Sequence, residues 1–100
     1  MGKLVRDNLP GIARAEGKTY NVTVANDAEY AAALRKKLIE EAHEYVSAPE
    51  PMELADIAEV LRALAKQHNL TWEQIEELRI KKATERGAFE KRLIWDGKKS

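Results

Sequence analysis

Leu34-Arg35-Lys36-Lys37-Leu38-Ile39-Glu40-Glu41-Ala42-His43-Glu44-Tyr45, followed beyond Pro49 and Pro51 by Glu53-Leu54-Ala55-Asp56-Ile57-Ala58-Glu59-Val60, is the stretch on which the fold turns. Apolar residues recur there every three or four positions, the period of a helix with one buried face. Pro49 and Pro51 cut the pattern into two helices, because proline has no amide proton to donate and its ring crowds the preceding turn. At ~100° per residue, with Leu34 at zero, Leu38, Tyr45 and Ala31 fall at about +40°, +20° and +60°. Glu41 falls at about −20°, inside that apolar stripe, and Glu44 at about −80°, on its edge. Glu40, near −120°, is expected in solvent. In the second helix, with Glu53 at zero, Ile57, Leu64 and Val60 lie within about 40° and Asp56 about 60° to one side. Each helix therefore carries one carboxylate within its stripe and a second, three residues on, flanking it on the same side.

A charged helix face explains most single Glu-x-x-Glu matches. Two such pairs, both on the apolar stripe and in the same phase, need another reason. Side chains three apart on a helix stand ~5–6 Å apart at Cβ, and two antiparallel neighbours would bring the pairs together. Crowded carboxylates repel, and partial burial makes each charge costlier. Two outcomes relieve this: carboxyls that keep their protons, or a bound cation. An oxygen-only ligand set suits a hard ion, Mg²⁺ with Mn²⁺ as an alternative, rather than Zn²⁺. Glu40-Glu41-Ala42-His43 also contains Glu-x-x-His, but a di-iron bundle requires two such motifs, and His43 points to the outer face.

Outward from this centre, Asp27 is read as the N-cap of the first long helix, Ala28 to Ser47. The second runs from Pro51 to about His68. Thr71 with Gln74 forms a capping box that opens a third helix, stopped by Gly87. A short helix is expected near Asn8 to Glu16, with Pro10 in its first turn and Gly17 as its end. Thr19 to Val24 and Phe89 to Trp95 alternate and read as extended segments or short strands, the latter a candidate partner for Lys3-Leu4-Val5. On the third helix Lys82 and Arg86 continue the inward stripe set by Ile75, which makes them candidate phosphate ligands.

The 100 residues are 44% hydrophobic and 34% charged, without cysteine, so disulfides and thiolate metal sites are excluded and one domain is expected. Seventeen basic residues balance seventeen acidic ones, which speaks against dedicated nucleic-acid binding. No apolar run reaches the ~18 residues of a membrane span, and no secretory signal opens the sequence. A cytoplasmic protein is expected, with no membrane partner. No internal repeat or linker appears. The domain is read as residues 1–96, with a mobile tail at 97–100.

Glu41-x-x-Glu44 followed by Glu53-x-x-Asp56 resembles the metal-binding signature of the MazG-like, all-α nucleoside triphosphate pyrophosphohydrolases. Lys3-Leu4-Val5-Arg6-Asp7 with Pro10, Leu54-Ala55-Asp56-Ile57 with Val60, and Glu85-Arg86-Gly87-Ala88-Phe89 are similar to the phosphoribosyl-ATP pyrophosphohydrolase-like subgroup. The resemblance spans Lys3 to about Trp95. It implies an all-α helical bundle that hydrolyses a nucleotide between the α and β phosphates with Mg²⁺, to a nucleoside monophosphate and pyrophosphate. House-cleaning of noncanonical nucleotides is one role of this kind. Glu41, Glu44, Glu53 and Asp56 would hold the metal, Glu40 or Glu44 would position the attacking water, and Lys82, Arg86 and Arg6 would contact phosphate. Only eight residues separate Glu44 from Glu53, fewer than in many of these proteins, which implies a small base-recognising region.

Leu54, Leu61, Ala65 and Ile39 are apolar yet lie off the stripe, more surface than one neighbouring helix can bury. Such patches mark an interface, so a homo-oligomer, at least a dimer, is expected. The resemblance points the same way, and Lys82 or Arg86 could then come from a second protomer. Two other functions fit the same residues: a catalytically idle nucleotide- and metal-binding module, which would bind without turnover, and a helical oligomerisation domain, which would need neither ligand.

Overall fold

The computed structural model describes residues 2–97, and over these the chain is all-α. It comprises α1 (Leu9–Ala15), α2 (Asp27–Ser47), α3 (Pro51–Gln67) and α4 (Trp72–Arg86). Local chemistry sets most of these limits. Asn26, not Asp27, caps α2: its side chain accepts from the Glu29 amide at 2.8 Å, and the Glu29 carboxylate accepts from the Asn26 amide at 2.9 Å. That reciprocal box satisfies two amides at a helix start, which leaves Asp27 as the first helical residue. Thr71 and Gln74 form the second box, as their spacing predicts. Pro51 opens α3 at a position where no amide hydrogen is required.

Two helices end in the same way. At α1, Lys18 donates to the Ala13 carbonyl and Gly17, at φ +81°, to that of Arg14. At α3, Leu70 donates to Ala65 and Asn69, at φ +58°, to Lys66. This is the paired closing bond of a left-handed cap; in α3 it ends the helix at Gln67, one residue before the expected His68. Gly87, at φ +84°, stops α4 as its position predicts.

The core is the α2–α3 hairpin, closed by the three residues between Ser47 and Pro51. Leu34 and Val60 are buried in it; Ala65, expected on the outer surface, is buried as well, close to the chain's turn at Leu70, which donates to its carbonyl. Ile39, Leu54 and Leu61 are exposed, as the helical wheel places them. α4 packs on α3 alone, near its own start, where the Arg62 guanidinium lies 5.1 Å from the centre of the Trp72 ring. The rest of α4 has no neighbouring helix to cover it. Lys82 and Arg86 are consequently exposed, not part of an inward stripe.

No strand is present among the described residues. Residues 19–24 are coil, and Phe89 to Trp95 form a turn and an open segment whose Phe89, Leu93, Ile94 and Trp95 are exposed. An alternating segment becomes a strand only against a partner edge, and Lys3-Leu4-Val5 lies elsewhere, against the hairpin. Of the tail expected at 97–100, residues 98–100 lie outside the described residues. The molecule is elongated, 60 × 32 × 25 Å, with a radius of gyration of 17.9 Å, against about 13 Å for a compact chain of this length. No helix among the described residues is long and apolar enough to cross a membrane.

Candidate metal centre

Among the described residues Glu41 is the polar residue buried in the core, 8% exposed, and it sits two helical turns beyond Leu34 on the same face. The short hairpin sets α3 beside it, so that Glu53 and Asp56, both half-buried, face Glu41. One carboxylate oxygen from each of the three lies within 4.8 Å of the others. Along α2, Glu40, Glu41 and Glu44 form a second group of the same dimension, with Glu44 exposed at its outer edge. The four expected ligands therefore divide: Glu41, Glu53 and Asp56 converge across the hairpin, and Glu44 joins through Glu41.

Cations already sit on part of this cluster. Lys37, its side chain 18% exposed, places Nζ 3.4 Å from both Glu40 Oε1 and Glu41 Oε1. Lys3 Nζ is 3.4 Å from the same Glu40 oxygen. Arg6 donates from Nη2 to Asp56 Oδ1 at 2.7 Å. Glu40 is thus half-buried and paired rather than free in solvent. Desolvation pushes its carboxyl up, but the Lys37 and Lys3 charges and their hydrogen bonds outweigh this and hold it below the ordinary glutamate range.

These pairs leave two atoms unserved: Glu41 Oε2 and Glu53 Oε2 are buried without a hydrogen-bond partner. A carboxylate oxygen is an acceptor only, so neighbouring carboxylates cannot satisfy one another unless one carries a proton. Leaving a buried acceptor unpaired costs about 1–3 kcal/mol, and more when it is charged. An all-oxygen donor set with two buried oxygens lacking partners fits a hard divalent cation. Carboxylates crowded in this way can bind a metal.

The expected phosphate ligands fall in different places. Arg6 is at the cluster, on Asp56. Lys82 and Arg86 stand on exposed turns of α4, which contacts α3 and not α2, and neither pairs with a carboxylate of the cluster among the described residues. Lys37 and Lys3 are the residues that reading the sequence missed. Lys37 was legible, since it precedes Glu40 and Glu41 by three and four positions, the spacing of helix neighbours. Lys3 is 37 residues from Glu40 and leaves no such trace.

A cation that binds only the folded cluster raises the melting temperature with the logarithm of its concentration. At a hundredfold excess over Kd the gain is about 2.7 kcal/mol, a shift on the order of 10 °C for a chain of this size. Calorimetric melting from trace to tens of millimolar Mg²⁺, with nucleotide present, measures it, and an unchanged melting temperature counts against the site. No family model, curated protein or solved structure matches this chain.

Proposed function

We propose that the protein is a Mg²⁺-dependent nucleoside triphosphate pyrophosphohydrolase of the MazG-like type, releasing nucleoside monophosphate and pyrophosphate. The observation that carries this reading is the pair of buried, partnerless oxygens, Glu41 Oε2 and Glu53 Oε2, in a cluster closed by Asp56. Glu41, Glu53 and Asp56 hold the ion, with Glu44 completing the set from the exposed edge. When bound, Mg²⁺ (or Mn²⁺) neutralises phosphate charge and acidifies water.

The remaining work falls to the chain. Water attacks the α-phosphorus, the bond to the α–β bridging oxygen breaks, and pyrophosphate departs. Glu44 is the acceptor for the water's proton, because it is exposed and free of the lysines that engage Glu40. Glu40, the other carboxylate grouped with Glu41 and Glu44 on α2, orients the water by accepting a hydrogen bond. With no cysteine in the sequence, direct attack by water is simpler than a covalent route.

The working form is a homo-oligomer. One chain exposes 9487 Å², whereas a compact monomer of 11.3 kDa exposes about 5,700 Å². The surplus includes Ile39, Leu54 and Leu61 on the hairpin and Leu78 and Ile80 on α4.

The test is pyrophosphate release across common and modified nucleoside triphosphates. Release that requires Mg²⁺ and stops with chelator is expected. Saturable cation and nucleotide binding without release from any of them would instead make the protein an idle binding module.

A further inference from the structure

The N-terminal segment is tied to the carboxylate cluster by charge and by little else. Among the described residues its backbone hydrogen bonds lead only forward, into the start of α1, where Leu9 donates to the Arg6 carbonyl. Lys3 and Arg6 reach different helices, Glu40 on α2 and Asp56 on α3, so the segment lies across the mouth of the hairpin as a strap. Between them Leu4 is half-buried and, with Gly2 and Lys3, lines a small hollow against Ala33, Lys36 and Lys37 of α2. Both ion pairs engage carboxylates that belong to the metal-ligating groups.

We propose that this strap is released by the divalent cation: Lys3, Arg6 and Lys37 are resident counter-ions that neutralise the cluster when it is metal-free and are expelled when the ion enters. The inference rests on the metal reading of the cluster. A divalent ion among Glu41, Glu53 and Asp56 cancels the negative field that holds the three cations and repels them at close range. Arg6 loses most, because its partner Asp56 becomes a ligand. With both anchors weakened, Leu4 alone does not retain a segment that has no backbone bonds to the helices. The strap then clears the mouth for a polyanionic ligand.

The absence of cysteine permits a single nitroxide label at Gly2→Cys, where an added Cβ meets nothing within 4 Å. Mg²⁺ is diamagnetic, so the spectrum reports the label's motion while calorimetry reports binding. The expected result is a restricted label that becomes mobile over the same Mg²⁺ range in which binding saturates. A second chain carrying Glu53→Gln should keep the label restricted at every Mg²⁺ concentration. Lys3→Gln combined with Arg6→Gln, which removes both anchors, should mobilise the label without Mg²⁺ and bind Mg²⁺ about threefold tighter, the scale on which exposed ion pairs act. Saturable Mg²⁺ binding with an unmoved label, or weaker binding by the Lys3→Gln, Arg6→Gln chain, overturns the strap and leaves the metal site standing. If the native chain shows no saturable binding, the metal reading and the strap fall together.

Discussion

Glu41→Gln, and separately Asp56→Asn, should remove the proposed nucleotide turnover while the protein stays folded. Loss of a partner that merely supports a metal ligand costs ~10–100-fold, so loss of a ligand should cost more than about 100-fold in kcat/KM. Stability without metal should hold or rise. Glu41 has one oxygen on Lys37 and one buried with no partner. An amide in its place removes a charge from a crowded cluster and supplies an N–H that Glu53 Oε2 can accept. Lys37 keeps Glu40. Pyrophosphate release and circular-dichroism melting in chelator are the two measurements. Variants that lose helical structure would make these carboxylates elements of the fold, and the site assignment would fail.

Replacing Leu54 and Leu61 together by Glu should reduce the proposed homo-oligomer to single chains and remove the proposed activity with it. Both residues are exposed on the outer face of α3, about 80–100° from Glu53 on the helical wheel, so the substitutions leave the hairpin core intact. Burying a leucine contributes about 1.5–3 kcal/mol, and burying a charge in its place adds a further penalty. Two copies of each change at a two-fold contact exceed what an interface of ordinary size tolerates. Sedimentation at micromolar concentration should give at least twice 11.3 kDa for the native protein and that mass for the double variant. A native protein that sediments as a clean monomer and still hydrolyses nucleotide overturns the oligomer.

What the sequence discloses of this fold is what local chemistry decides. The helix limits follow from caps a few residues long, and the burial of Glu41 follows from its angle to Leu34. The α2 cap is Asn26 rather than the expected Asp27, because the Glu29 carboxylate three residues beyond Asn26 closes the capping box. Residues far apart in sequence were less readable. Arg6 meets Asp56 across 50 positions, and no periodicity encodes that pairing. Lys82 and Arg86 show the limit from the other side. A wheel says which residues share a face, but whether a helix turns that face toward anything depends on packing that α4 does not have within one chain.

The three-residue connection between α2 and α3 also governs how the molecule comes together. Contacts of the hairpin join segments near in sequence, so little chain entropy is lost in closing it, and such structures form quickly. α4 has no comparable inducement, since Arg62 and Trp72 offer it one stacked contact and most of its length meets solvent. The hairpin is therefore the unit that a newly made chain completes by itself. In the proposed homo-oligomer, placement of α4 would fall to the encounter of two chains, and its rate would follow their concentration rather than the sequence of either.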